Sequence, residues 1–428
     1  MRLFLLAVLR LPASLRAAAA IFKLLCEESL TPAALGDGPS APCGRLWLLR
    51  VGLYELQRAK EQAEDWVWIV DHTIQLGSTR VLVIVGLRVS AWEAQGRGAL
   101  EHQHLQVLLL EPVQKSNADL VQSQLQKAAR ISGAPRAILS DQSRELTLAI
   151  QQFQADHSPT LRLNDIKHRL ALLLEHRLQP DPRWSDFLQA CQQMRKKSQQ
   201  TPLAFLAPPA TKEKARFMNL GELIRWAAAT RRFLDDPRMP PGVALDQERL
   251  ESVFGGLRQH DAAMGEWQSL IDLIDTSLQR VRQDGYYPGC SDTLRRELTP
   301  LAGNEVARGF VEQVVSFVAE QTAPLAPGEH LPGSSEVIES LIGKGKRLEG
   351  QQSKGGFTRM VLGLAAAVVN PTSAYLQQAL ETIGTQHVTQ WTKAHLGPSL
   401  QGLRQQTLGR LKAEQNRDKQ LAPASPSF

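Results

Sequence analysis

Two apolar stretches each run into an aspartate. WVWIVDHT carries Asp71 and RAILSDQ carries Asp141, and far downstream SSEVIESLIGKGK supplies Glu336 and Glu339. Carboxylate oxygens are hard ligands for divalent cations, and cations so held neutralise the charge that develops during phosphoryl transfer. Such ligands need a rigid frame, and strand ends or a packed helix supply one better than loops do. Asp71 shares a strand face with Val67 and Ile69 by the two-residue period. Two acids at one sheet edge would repel and raise one another's proton affinity unless a cation lay between them. Taken singly, each aspartate also reads as a turn or cap residue, Asp141 for the helix SRELTLAI and Asp71 for a loop. The third carboxylate stays open between two positions. Glu336 follows Ser334 and Ser335 at a helix start, where the helix dipole favours any acid. Glu339 lies two helical turns before Lys346, so a carboxylate and an ammonium share one face.

The elements that must hold these residues follow from periodicity. SLRAAAAIFKLL reads as a helix capped by Ser14, and TPAALGDGPSAP stops it with three prolines and two glycines. GRLWLLRVGLYELQRAK resumes helical spacing through Leu46, Leu49 and Leu53 and carries Arg45, Arg50, Arg58 and Lys60, a helix-turn-helix-like arrangement with a long loop. WVWIVDHT, RVLVIVGLRV and LQVLLLEPV are predicted to be three strands in succession. A helix over NADLVQSQLQKAARIS, a strand at RAILSD, a helix from Ser143, a strand at TLRLND and a helix over IKHRLALLLEHRL complete the pattern. The order β-β-β-α-β-α-β-α predicts an α/β ribonuclease H-like mixed sheet with helices on both faces. Between about Leu178 and Pro332 only amphipathic helices are predicted, an all-α insertion between the second and third carboxylates. The expected domains are a helical DNA-binding head over 1–60, the first part of the core over 61–178, the insertion over 179–332, the end of the core with a basic helical tail over 333–412, and a disordered tail over 413–428.

At 428 residues with 43% hydrophobic content the chain can build two or three cores. Its formal charge is +6 and its pI near 9.2, and residues 340–428 hold 11 Lys and Arg against 4 Asp and Glu. The surplus in that segment exceeds the excess of the whole chain, which favours an anionic partner at the C-terminal side. Cys26, Cys43, Cys191 and Cys290 form no CxxC pair, so neither a disulfide framework nor a zinc site is expected, and the compartment reads as reducing cytoplasm. The opening MRLFLLAVLRLPASLRAAAA imitates a signal peptide, but Arg10 and Arg16 interrupt it. No stretch approaches the roughly 20 apolar residues of a membrane span.

On these residues the chain resembles the DDE transposases of prokaryotic insertion sequences that carry a helical insertion before the third acid. WVWIVDHTIQLG is similar to the first-acid motif, ILSDQ to the second, and SSEVIESLIGKGK to a mutator-type third-acid motif. The intervals are 70 residues from Asp71 to Asp141 and 198 from there to Glu339. The resemblance implies Asp71, Asp141 and Glu339, with Glu336 as the alternative, as catalytic ligands of two Mg²⁺ ions, Mn²⁺ serving as substitute. It implies Lys346, with Lys344, Arg347, Arg45 and Arg50, as DNA contacts, and transposon-end cleavage followed by strand transfer to target DNA in a homo-oligomeric synapse. Gly343 and Gly345 depart from the pattern. Each costs about 1 kcal/mol in a helix against alanine, so a catalytically impaired DNA-binding remnant is the alternative, beside a structure-selective nuclease on the same fold.

Among the remaining candidates, His72 and Thr73 abut Asp71 and are placed to orient it or a water. Asp165, Lys167 and His168 follow the fifth strand, where His168 reads as a structural histidine before a phosphate contact. Trp184, Trp226 and Trp267 read as helical core before base-stacking platforms.

Overall fold

The computed structural model describes residues 1–11, 13–28, 38–74, 79–210, 220–240, 244–350, 358–396 and 402–410. The expected disordered tail over 413–428 and the loop at 29–37 lie outside the described residues. Helices α1 (Arg2–Leu9), α2 (Leu15–Glu27) and α3 (Ala41–Gln57) open the chain. Ser14 caps α2 as expected, its hydroxyl accepting from the Ala17 N–H at 3.0 Å, and Ser40 caps α3 in the same way. Strands β1 (Trp66–Ile74) and β2 (Arg80–Arg88), helix α4 (Val89–Ala94), a 3-10 turn (His102–His104) and β3 (Gln106–Val113) follow. Next come α5 (Ala118–Ser132), β4 (Ala137–Ser140), α6 (Arg144–Asp156) and β5 (Leu161–Asn164). Among the described residues α7 (Ile166–Leu178), α8 (Pro182–Ser198), α9 (Leu220–Asp235), α10 (Gln247–Phe254), α11 (Asp261–Asp284), α12 (Cys290–Leu298) and α13 (Glu305–Thr322) come next. Then follow α14 (Glu336–Gly350), α15 (Leu362–Ala367), α16 (Ser373–Thr382), α17 (Thr385–His395) and helical residues at 402–410.

Two compact units result. The first comprises 1–95, 100–162 and 335–428, and the second 96–99 and 163–334. The first holds a mixed sheet in the order β3-β2-β1-β4-β5, in which β1 pairs antiparallel with β2, β2 antiparallel with β3, and β1 parallel with β4. The strands coincide with the five expected ones; β1, β2 and β4 are nearly continuous apolar runs, while β3 and β5 are partly exposed. Trp66, Trp68, Val70, Leu82, Ile84, Leu108 and Ile138 form one core with Val121 and Leu125 of α5 and Ile150 and Phe153 of α6. That core contains no residue of α3, α14 or α15, although α14 contacts β1 and both α3 and α15 contact β3. These three helices therefore cover the opposite face of the sheet.

The apolar opening that imitates a signal peptide is α1, whose Phe4, Leu5, Val8 and Leu9 are buried. The Phe4 ring occupies the space a side chain would take at Gly44. Helix α3, expected as a recognition helix, has Leu48, Leu49, Val51 and Leu53 fully buried. At Gly52 an added Cβ would lie 2.0 Å from the Leu362 carbonyl oxygen, so only glycine lets α3 approach α15 so closely. The end of α3 is pinned by charge. Buried Glu55 accepts from Lys60 Nζ at 2.7 Å and from the Tyr375 hydroxyl at 2.7 Å, and Arg58 adds a further ion pair. Burial alone would raise the Glu55 pKa, but the hydrogen bonds and charges of Arg58 and Lys60 outweigh it and hold the carboxyl below its usual range. Burial lowers Lys60 to about 8 against the pull of Glu55.

The second unit, 96–99 with 163–334, is mainly helical and takes in α7. Trp184 and Trp267 meet edge to face with ring centroids 5.0 Å apart and Phe187 beside them, and Trp226 donates to the Leu206 carbonyl at 3.0 Å. Trp184 and Trp267 are core residues, while Trp226 is half-buried. Helix α12 was not anticipated, and Tyr286 forms an isolated antiparallel bridge with Leu331.

The glycines of SSEVIESLIGKGK do not break the helix: α14 runs unbroken from Glu336 to Gly350. A Cβ at Gly345 would lie 2.3 Å from Leu364 Cδ2 and 2.7 Å from its Cγ, whereas nothing lies within 4 Å of one at Gly343. Gly343→Ala should accordingly leave thermal stability unchanged or raise it by about 1 kcal/mol. Gly345→Ala should cost about 1 to 3 kcal/mol by overpacking against buried Leu364. Denaturant melts of the two variants check this, and equal behaviour would refute the close approach of α14 and α15.

Glu349 supplies a pH signature. Burial raises its pKa to about 7, despite hydrogen bonds from the Thr358 N–H at 3.1 Å and hydroxyl at 3.3 Å. The folded state thus holds its proton more tightly than the unfolded chain, whose carboxyl titrates near 4.5. Stability is fullest below that value and falls as pH rises towards 7, by an amount on the order of 3 kcal/mol at most. Glu349→Gln should flatten the profile in that window, measured as midpoint of unfolding against pH.

Candidate functional site

The parallel pairing of β1 and β4 runs Val67↔Ala137, Trp68↔Ile138, Ile69↔Leu139, Val70↔Ser140. Asp71 follows Val70 within β1 and Asp141 follows Ser140 directly after β4, so each aspartate succeeds the last parallel pair. Trp68, Val70 and Ile138 face the core with α5 and α6. By alternation Ile69 and Asp71 face the other side, and the same alternation carried one residue past β4 puts Asp141 there too. Asp71 does not end its strand as expected. The strand continues to Ile74 against β2, and Asp71 instead marks where its parallel partner stops.

Both aspartates are half-buried. Asp71 Oδ1 accepts from the His72 N–H at 2.6 Å. Asp141 Oδ1 accepts from the Ser143 N–H at 3.0 Å and shapes the entry to α6, a cap-like role that accompanies its place at the sheet edge. His72 Nε2 lies 3.2 Å from the Ser116 hydroxyl. Burial lowers the His72 pKa and Arg80 adds to this, while Glu145 and Asp141 oppose it, so the imidazole lies within the field of this carboxyl edge. Thr73 is buried. Glu145, in the first turn of α6, pairs with Arg80 at 3.4 Å. Sequence reasoning missed it, although its place four residues after Asp141 is the signal that could have found it.

Helix α14, which packs on β1, carries the third carboxylate. The Ser335 carbonyl accepts from Ile338 N and from Glu339 N at 3.3 Å, so the helix begins at Glu336 and both glutamates lie in its first turn. The dipole explanation reserved for Glu336 therefore extends to Glu339. Both are half-buried, while Val337, Ile338, Leu341 and Ile342 are buried. Among the described residues the ligand atoms of Asp71, Asp141 and Glu339 do not all lie within 4.8 Å of one another. An all-oxygen set of half-buried carboxylates on a strand pair and a packed helix suits a hard cation such as Mg²⁺ or Mn²⁺, and Asp71 with Asp141 would be its nearest pair of ligands.

The basic candidates separate. Lys346 and Arg347 are exposed, and the unbroken helix keeps Lys346 on the Glu339 face, about 10 Å further along. Lys344 is half-buried and its Nζ donates to the Leu9 carbonyl. Burial, then the charges of Arg10 and Arg347, lower its pKa to about 8. Arg50 donates to the carbonyls of Leu380 and Ile383 at the end of α16, a helix-capping arrangement. Arg45 is half-buried in the field of Arg359, whose pKa is lowered by burial and then by Arg45. In the second unit Asp165 is fully buried, accepts from Lys167 N at 3.1 Å and bonds His168 Nδ1.

Neither a protein-family model nor a curated protein sequence matches the chain, which leaves the insertion-sequence and mutator-type parts of the resemblance without sequence support. Among the described residues no helix is long and apolar enough to cross a membrane. The chain is similar to the solved structure described as the Drosophila P element transposase strand transfer complex, with 11% identity, a TM-score of 0.41, and coverage of 87% of this chain and 92% of that one. At that level of likeness it assigns no residue and no reaction.

Proposed function

We propose that this chain is a metal-dependent polynucleotidyl transferase of the DDE transposase type, which cleaves DNA at an element's end and joins it to a target. The observation that supports it is the adjacency of Asp71 and Asp141 where the parallel pairing of β1 and β4 ends. The sheet order, with three antiparallel strands and a fourth parallel to the first, agrees with the ribonuclease H-like arrangement on which such carboxylates act. Asp71, Asp141 and Glu339, or Glu336 in its place, would hold two divalent cations, Mg²⁺ or Mn²⁺. Bound there, they would supply charge neutralisation at the scissile phosphate and a water of lowered proton affinity. The chain's own residues fix the geometry: β1 and β4 set the aspartates, α14 sets the glutamate, and Lys346 on the same helical face contacts a DNA phosphate. Two element ends handled together imply a homo-oligomer.

The test is nicking of supercoiled plasmid, with and without Mg²⁺, by the full chain and its variants. Asp71→Asn, Asp141→Asn and Glu339→Gln should each lower Mg²⁺-dependent nicking by about a hundredfold or more, with duplex binding nearly unchanged, because a ligand is lost and the basic surface is not. Glu336→Gln should be mild. The reverse result for the two glutamates would exchange their roles, and parental nicking by Asp71→Asn or Asp141→Asn would end the proposal. Nicking without strand transfer would move it to the structure-selective nuclease.

A further inference from the structure

Four cationic or ionisable groups from three separate segments meet on the first unit. Lys344, on α14, donates to the carbonyl of Leu9 at the end of α1, which brings it beside Arg10. Arg10 reaches the Val369 carbonyl at 3.3 Å and Gln103 Oε1 at 3.4 Å, which ties it to the 3-10 turn His102–His104. That turn packs on α14, and Arg347 lies one helical turn after Lys344. Arg10 and Arg347 are exposed, while His102 and Lys344 are half-buried. Glu101 is the acid of this surface. Its Oε2 accepts from Gln103 Nε2 at 2.7 Å, and its charge is outweighed at His102. Burial, then Lys344 and Arg10, lower His102 to about 4. Among the described residues neither Arg10, Lys344 nor Arg347 pairs with a carboxylate.

We propose that Arg10, His102, Lys344 and Arg347 form a notch that holds a phosphate of a nucleic-acid backbone. The inference rests on the reading that the chain acts on DNA, and adds Arg10 and His102 as contacts. Like charges gathered with one peripheral acid repel one another, and a phosphodiester set among them removes that repulsion. The guanidiniums offer paired N–H donors to its oxygens, the ammonium a point charge, and the imidazole a further donor.

The experiment titrates the full chain with a short DNA duplex at several salt concentrations and compares it with Arg347→Gln and Arg10→Gln/Arg347→Gln. Each phosphate neutralised contributes about −0.9 to the slope of log affinity against log salt, so with one phosphate in the notch the double variant should lose up to about 0.9 and the single variant part of that. Circular dichroism checks that both variants are folded, and the exposed position of Arg347 makes the single variant informative if the double is not. Slopes equal to the parent's in folded variants would overturn the notch, while Mg²⁺-dependent nicking would still decide the proposed function on its own. Conversely, a parent that never nicks yet loses slope with Arg347→Gln would remove the catalysis and keep the notch.

Discussion

The parallel register of β1 on β4 is the constraint from which the rest follows. Parallel neighbours cannot be joined by a tight turn, so β2, β3 and α5 must intervene before β4 can lie beside β1. The four residues of β4 are all buried, and side chains alternate with a period of two, so a slip of one residue would exchange the faces of Ile138 and Leu139 and break the packing of both. Hydrophobic burial thereby fixes the juxtaposition of two carboxylates that would otherwise repel. The stability of the core, rather than any attraction at the site, holds the acids together.

The opposite face of the sheet is built by close approach. Gly52 admits a carbonyl of α15 against α3, and Gly345 admits Leu364 against α14, so α14 is drawn onto β1, which carries Asp71, and α3 and α15 onto β3. The charges of α3 serve the same packing. Arg50 caps α16 and Glu55 gathers Arg58, Lys60 and Tyr375. A helix whose arginine and acid are engaged with its own unit presents less of itself to DNA than its basic sequence suggested.

Much of this was legible in the sequence. Strands β1, β2 and β4 could be read because they are nearly continuous apolar runs, and Ser14 could be read as a cap because its oxygen has one local donor to satisfy. Helix α12 was missed although its apolar residues recur at helical spacing. Arg10 was invisible because it acquires its meaning from partners 93 and 359 positions away, and no local pattern records such a pairing.

The two glycines of SSEVIESLIGKGK illustrate the same limit. Read by propensity, they weaken the helix that carries Glu339 and point to decay of the site. In the folded chain Gly343 faces open space while Gly345 is the contact that seats α14 against α15. Intrinsic helix preference of about 1 kcal/mol is small beside the burial of Leu341, Ile342, Leu348 and Leu364 along that seam, each of which contributes roughly 1.5 to 3 kcal/mol. Tertiary packing therefore decides the conformation. The glycine at 345 belongs to the anchoring of the helix that carries Glu336 and Glu339, and the argument from helix propensity for a decayed copy falls away.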